Sequence, residues 1–584
     1  MTSIPVASSM LNLSMMEKIM AARAPGSIDD HKAVVNIFMH GGNDSYNMLV
    51  PTDSGRYSGY AKHRGAAKIR LSALHKLTNK EGQVACGVHP NMEKVATMFN
   101  NGDLSFIANV GPLVEPVPTR ADWRRARKPF GIGSHHDSRM VWQTSYGISK
   151  SGTNARTGWA GRMLDVLNDS ANNEATITGA IGGGTFLRGV KTKSHPLGGL
   201  APIAAYKSNT TFKEMYDATM EISYGHVLQA HYNYSRKNTI ETADALKELT
   251  SGVVFQTPFP GGSLGNKLKE CAKYIAVADK LGHKRQAFFC SYGMFDLHKG
   301  SNTLLSHANL MNQLSEALFA FNEAMKEIGK HDNVITFTAS DFSRTLNSNG
   351  GGTDHAYGAN HLVMGGPIQG GDILGTYPNL AKGAGRDIGR GRQIPSTSTD
   401  EYFATIAKWY GITNTEMEIV LPGIKNWPNG GIIEGMIDGV HAPFIPDPNK
   451  TYYIEAPYNK RLSASPTDGR LKSQSNVKAG VYVQWKFVPG TIPGRWYIER
   501  ADGGNTPRVQ SNGATIPALV ASANGEGENA QFEITAQSEG KYFLTIPGAS
   551  SQYTRLRVTS RGVVNLVTTA HGPTQTAFSF TEVV

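Results

Sequence analysis

Four short apolar runs punctuate the first part of the chain, at positions 34–39, 104–110, 286–290 and 334–339. Each is only a few residues long and rich in Val, Ile, Phe or Thr, the pattern of a buried β-strand. Longer stretches repeat apolar residues every third or fourth position. Residues 304–328 place Leu310, Leu314, Leu318, Phe321 and Met325 at helical spacing, and Gly329 follows as a stop. Residues 227–249 read as a second helix, and 400–410 as a third that Gly411 ends. The run at 286, the helix at 304 and the run at 334 form a strand–helix–strand unit. Repetition of such units predicts an α/β domain with a mostly parallel central sheet.

The pattern changes after Pro443, Pro446 and Pro448. Residues 442–450 read as a linker between an α/β domain over 30–441 and a region over 451–584 with short strands and no helical period. Gln484-Trp485-Lys-Phe487, Gln531-Phe532-Glu-Ile534 and Ala577-Phe578-Ser-Phe580 are copies of one strand, 46 or 47 residues apart. Tyr453-Ile454, Tyr497-Ile498 and Phe543-Leu544 form a second series. Three copies at a period of about 45 residues with all-β content predict a β-trefoil. This region resembles the ricin-like carbohydrate-binding trefoils. It departs from their Gln-x-Trp signature, since Gln484 and Trp485 are adjacent. Sugar binding and a purely structural cap both remain open.

Composition narrows the picture modestly. The 584 residues exceed one core, and 40% hydrophobic with 18% charged residues describe a folded chain. A net charge of +11 and a pI near 9.2 fit either solubility or attraction to polyanions. There is no basic helix or RNA-binding signature to point to nucleic acid. Three cysteines, Cys86, Cys271 and Cys290, allow at most one bridge. No apolar run approaches the roughly 20 residues of a membrane span. Residues 1–29 look like the back half of an export signal or an ordinary N-terminal helix.

The candidate chemistry sits just past the apolar runs. The first leads into His40-Gly-Gly-Asn-Asp44-Ser45, the third into Gly293-Met-Phe-Asp296-Leu-His298, and the fourth into Ser340-Asp341. Asp354-His355 follows a glycine-rich loop. In an open parallel sheet, ligands bind outside the carboxyl ends of the strands, and carboxylates and imidazoles gathered there can hold a divalent metal. Asp44, Asp296, His298, Asp341 and His355 are therefore the expected metal ligands. A single acidic residue after a strand is more often a helix cap; the weight lies in several on one edge. Arg124, Arg125 and Arg127 sit in a basic stretch just before Ser134-His-His-Asp137 and are candidates to bind an anionic substrate, or else form a solvated basic loop.

A family resemblance follows from these motifs. His40-Gly-Gly-Asn-Asp-Ser-Tyr-Asn-Met-Leu-Val-Pro51, Gly111-Pro-Leu-Val-Glu-Pro116, Ser134-His-His-Asp137, Gly293-Met-Phe-Asp-Leu-His298, Thr338-Ala-Ser-Asp-Phe-Ser-Arg344, Gly352-Thr-Asp-His355 and Gln393-Ile-Pro-Ser-Thr-Ser398 resemble, in order, the sulfatase-like family of unknown function numbered 1501. The resemblance covers about residues 30–415. It implies an alkaline phosphatase and sulfatase sandwich with metal ligands at the strand ends, and a twin-arginine export signal. By resemblance, Asp44 matches the first metal aspartate, Asp296 and His298 the second ligand group, and His355 the last histidine. His135 and Asp137 match family positions, each either a ligand or a general acid. Phe342 stands where a phosphatase has a second histidine, and no formylglycine signature is present. Ser45 is either a nucleophile or a loop hydroxyl.

The expected function is an exported, secreted or periplasmic metal-dependent hydrolase of sulfate or phosphate esters, acting on an anionic polysaccharide. The ion would be Ca²⁺, Mg²⁺, Mn²⁺ or Zn²⁺. Ser45, His135, Asp137 and Arg344 would carry the catalysis. Two other classes stay open: a non-catalytic carbohydrate-binding or matrix protein on the same fold, and a glycoside-cleaving enzyme with paired carboxylates.

Overall fold

The computed structural model describes residues 26–464, leaving aside 79, 148–156, 173–174, 176–177, 198–208, 223–224, 300–302, 445, 447 and 459, and beyond 464 mainly the strands named below. The export-like segment lies almost wholly outside the described residues. The chain divides into two compact units. The first runs through residue 412 and takes in 416–427 and 436–438; the second takes in 413–415, 428–435 and 439–584.

The first unit is built on one mixed sheet. Its strands are β1 (Lys32–Met39), β2 (Leu104–Gly111), β3 (Ala180–Gly182), β4 (Arg285–Tyr292), β5 (Val334–Ser340), β6 (Ala359–Met364), β7 (Ile373–Leu374) and β8 (Thr397–Ser398). They lie in the order β7-β2-β6-β5-β1-β4-β3, with β8 beside β2. Among these strands only β6 runs antiparallel to its neighbours. The sequence predicts the apolar runs because the inner strands are covered on both faces: seven of the eight residues of β1 are buried.

The pleat sends alternate residues of β1 to opposite layers. Val35, Ile37 and Met39 join a core with Leu268 and Cys271 of the Ser263–Ala276 helix and Leu314, Leu318 and Phe321 of the Thr303–Glu327 helix. Phe38 turns to the other side. There Phe289, Phe186, Phe337, Trp159 and Phe403 form a chain of ring contacts, with Trp159 and Phe403 stacked at 4.4 Å. The latter two come from the Trp159–Ala171 and Thr399–Tyr410 helices. Ser398 and Glu401 close a capping box at the start of the second of these.

The second unit is all-β. Strands β9 (Tyr452–Ala456), β10 (Gln484–Pro489), β11 (Arg495–Arg500), β12 (Phe532–Ser538), β13 (Lys541–Thr545) and β14 (Ala577–Glu582) pair in sequence, and β14 pairs back on β9, so the six close into a ring. Three hairpins hang between them: Lys460–Ala464 with Leu471–Ser475, Arg508–Ser511 with Leu519–Ser522, and Arg555–Val558 with Val564–Val567. The repeated aromatics Trp485, Phe532 and Phe578 are all fully buried in one core. Trp485 donates its indole N–H to the Leu462 carbonyl at 3.0 Å, which spends it on the fold. Phe444, within the proline-rich stretch read as a linker, stacks on Phe580 at 4.1 Å as part of this unit.

Candidate metal centre

Pairing register brings the site loops to one edge. Met39 of β1 stands opposite Tyr292 of β4 and Ser340 of β5, all three strands parallel, so their carboxyl ends are level. The loops that follow approach closely. Gly41 has a φ of +109°, and a Cβ there would lie 2.4 Å from the Asp296 amide nitrogen. Only glycine permits that conformation at that separation.

Arg344 ties these loops together. Its buried guanidinium donates to the carbonyls of Gly41, Gly42 (2.9 Å), Phe295 (3.2 Å) and Thr353 (3.1 Å), and to Asp296 Oδ1 at 2.6 Å. All three nitrogens of the fork are engaged within the protein. Arg344 is thus a positioning residue for Asp296 and is not free to clamp a substrate.

Four side chains converge above this frame. One ligand atom each from His135, Asp296, His298 and His355 lies within 4.8 Å of all the others. Asp296 Oδ1 is 3.1 Å from His298 Nε2, 3.4 Å from His135 Nε2 and 3.7 Å from His355 Nε2. His298 Nε2 and His355 Nε2 face each other at 2.7 Å. Each ring is held from behind through its other nitrogen. His355 Nδ1 meets the Gly133 carbonyl at 2.7 Å, His135 Nδ1 meets Asp341 Oδ2 at 2.5 Å, and His298 Nδ1 meets Asp354 Oδ1 at 3.4 Å. A carbonyl only accepts, so His355 carries its proton on Nδ1 and turns a lone pair on Nε2 toward the centre. Asp341 is itself fixed by the Gly41 N–H at 3.1 Å. The Phe342 ring packs against His135 and His355 at 4.8 and 4.4 Å, forming a wall beside them.

Charge is distributed unevenly. Burial works against ionisation of Asp296, but the Arg344 hydrogen bond and charge, with His135 and His298, hold its carboxyl below the usual range. Burial raises Asp341 against the opposing pull of the His135 bond. Burial lowers His355, partly countered by the Gly133 carbonyl. Asp354 is lowered by its bond from Asn349 and by Arg390, whose guanidinium lies 2.5 Å away.

Of the residues expected as ligands, Asp296, His298 and His355 meet, and His135 completes the group. Asp341 stands one shell back, behind His135. Asp44 is elsewhere: its carboxylate is bound by the buried Arg64 guanidinium, which comes from the Ser54–Arg64 helix. Ser45 is fully buried, with its Oγ 3.0 Å from Ser343 Oγ and accepting the Asn360 N–H at 2.9 Å, so its hydroxyl is engaged within the fold. Asp137 sits in the first turn of the His135–Thr144 helix, packed beside Gly131, outside the group. Arg124 and Arg125 are exposed on a short helix, and Arg127 pairs with Glu115 at 3.2 Å. A cavity of about 230 Å³ is lined by Asp44, Leu297, His307 and Arg344, among others, but by none of the four converging residues.

The sequence motifs include Asp354 but not its place behind His298, and they miss the backbone partner Gly133. They also miss Arg139, whose Nε bonds the His135 carbonyl at 3.1 Å; it falls four residues after His135, on the same helical face.

A family model described as protein of unknown function (DUF1501) matches residues 31–417. No curated protein matches. Among solved structures, a Polyporus squamosus lectin bound to a human-type influenza-binding epitope is 16% identical over 23% of this chain, with a TM-score of 0.21. The chain spans half the length of that lectin. The designed 3-fold symmetric protein ThreeFoil (18% identity, 23% of this chain and 99% of that one, TM-score 0.20) and SeviL bound to asialo-GM1 saccharide (17%, 23% and 98%, 0.20) also match.

Proposed function

The chain belongs to the DUF1501 family, and from that premise we propose that its first unit is a metal-dependent hydrolase of sulfate or phosphate esters, of the alkaline phosphatase and sulfatase type. The observation that carries the reading is the set of three imidazoles whose Nδ1 atoms are occupied from behind while their Nε2 atoms converge on one carboxylate oxygen. That is the arrangement in which outer partners fix the tautomer and orientation of metal-ligating histidines. His135 Nε2 is buried without a hydrogen-bond partner, and the Nε2 atoms of His298 and His355 share one hydrogen-bond contact at 2.7 Å, which an ion would replace by drawing both lone pairs to itself. Three nitrogens and one oxygen suit Zn²⁺ or a neighbouring first-row ion, and suit Ca²⁺ or Mg²⁺ poorly.

His135, Asp296, His298 and His355 would hold the ion, which supplies Lewis-acid stabilisation to an ester oxygen. Asp341 keeps His135 aimed, Arg344 keeps Asp296 ionised and in place, and Phe342 closes one side. With Ser45 sealed in the core, water is the attacking group. In the second unit, the closed ring with three hairpins and the threefold sequence repeat support a β-trefoil, whose role would be to retain an anionic polysaccharide near the hydrolytic unit. Export to an extracytoplasmic compartment is part of the same reading. Among the described residues no helix is long and apolar enough to cross a membrane.

The test is a panel of sulfate and phosphate esters assayed with Zn²⁺, Mn²⁺, Mg²⁺ and Ca²⁺. Turnover that needs a first-row ion and vanishes in His298→Ala supports the reading. Equal turnover in that variant, or none with any ester and ion, overturns it.

A further inference from the structure

A second group of side chains stands beside the converging histidines, and it is cationic. Arg139 lies one turn beyond His135 on the His135–Thr144 helix and anchors its Nε on the His135 carbonyl at 3.1 Å. The terminal nitrogens of its fork form no hydrogen bond or ion pair among the described residues. Lys267 reaches across from the Ser263–Ala276 helix to the Ser291 carbonyl at 2.5 Å, at the carboxyl end of β4. His40 follows β1 directly. Its backbone bridges the same strand end, donating to the Tyr292 carbonyl at 2.7 Å and accepting from the Phe295 N–H at 3.0 Å. His40 Nδ1 is buried with no hydrogen-bond partner.

Lys267 and His40 bond the neighbouring carbonyls of Ser291 and Tyr292 at the end of β4, and Arg139 is tied to His135, whose Nδ1 meets the Asp341 carboxylate that also accepts the N–H of Gly41, the residue after His40. Burial first, and then Arg139 and Lys267, lower the pKa of His40 to about 4. Arg139 also bears on Asp341. Among the described residues neither Arg139 nor Lys267 forms an ion pair with a carboxylate, Asp341 is committed to His135, and Glu270, one turn from Lys267, pairs with Lys273. Partly buried cations without counter-charges are unusual, because desolvation favours pairing. An arginine fork with a lysine beside it matches the oxygens of a tetrahedral oxyanion.

The geometry points to Arg139, Lys267 and His40 as the binding site for the anionic group of the ester, a tetrahedral oxyanion of the sulfate or phosphate class, next to the metal cluster. This builds on the hydrolase reading and replaces Arg124, Arg125 and Arg127 as the anion-binding residues. Arg139 donates through its free fork, Lys267 adds a point charge, and neutral His40 offers an N–H from whichever nitrogen carries its proton.

The test is calorimetric binding of inorganic phosphate and inorganic sulfate to the full chain, with zinc content and melting temperature measured alongside. Arg139→Leu is expected to weaken binding of the preferred anion about tenfold or more, with zinc content unchanged. Arg139→Lys should recover part of the loss, which a purely structural role would not produce. Unaltered anion affinity in Arg139→Leu overturns the assignment. If that variant does not fold, Lys267→Met provides the same reading: weaker anion binding supports the assignment and unchanged binding contradicts it. The hydrolase reading fails separately, on a wild-type chain that binds no metal; a loss of anion affinity in Arg139→Leu would still uphold this site.

Discussion

Two polar groups lie at the same edge of the central sheet and have opposite fates. Behind β1, Asp44, Ser45 and Arg64 are sealed: Arg64 binds Asp44, Ser343 and Asn360 occupy Ser45, and little of any of them is exposed. A few residues away in space, His135, Asp296, His298 and His355 stay partly open, with Asp296 about half exposed. Both groups draw their acids from motif loops that follow strands of the sheet, Asp44 after β1 and Asp296 after β4. What separates them is where the protein supplies partners. The first group is buried and paired within the protein and serves stability. The second is satisfied only from behind, so its front faces are left for a ligand.

The largest effect should come from breaking the sealed group. Arg64→Leu leaves the Asp44 carboxylate buried and unpaired, and should lower unfolding free energy by roughly 3–5 kcal/mol. Denaturant titration checks this, and the folded fraction should keep its metal. A loss below about 1 kcal/mol would show that the pair is not sealed.

The next effect belongs to the open group. Asp341→Asn removes the ionised partner behind His135 and should weaken zinc binding roughly 10- to 100-fold, while stability of the metal-free chain changes little. Competition with a chromogenic chelator measures it. A large fall in metal-free stability without weaker zinc binding would erase the distinction between the groups.

Acid should act on the sealed side. His307 lines the cavity beside Asp44, and burial lowers its pKa to about 4. The unfolded chain takes up this proton near pH 6.5 and the folded chain resists it until about pH 4. Stability from this group is therefore full above 6.5 and declines as pH falls from 6.5 toward 4, by about 1.4 kcal/mol per pH unit. His307→Asn should flatten the pH dependence of stability by about one proton over that window. An unchanged slope would show that His307 is not held neutral by the fold.

The smallest effect should be Ser45→Ala, which forfeits a buried hydroxyl's hydrogen bonds at about 1 kcal/mol and leaves turnover of a small ester intact. Abolished turnover with normal stability would return Ser45 to the nucleophile role.

Much of the frame was legible in the chain. Inner strands covered on both faces leave continuous apolar runs, and the 304–328 period matches the observed Thr303–Glu327 helix. The strand-end rule points to Asp296 and His298 because parallel strands in register end together, whereas His355 is read from the glycine-rich loop before it. The sequence does not show that Asp44 pairs away from the converging group, because its partner, Arg64, sits on a helix that carries no motif, and an ion pair leaves no periodicity to read. Arg344 reads in the sequence as a catalytic residue because the sequence does not show backbone carbonyls, and four of its five partners are carbonyls. The same blindness hid Gly133, whose carbonyl fixes the tautomer of His355.

Metal analysis of the full chain after dialysis against trace zinc, run beside His298→Ala, tests the central claim most directly. The account predicts one ion per wild-type chain, a melting temperature that falls when a chelator removes it, and neither property in the variant. A wild-type chain that binds no ion and melts identically with and without chelator would contradict it.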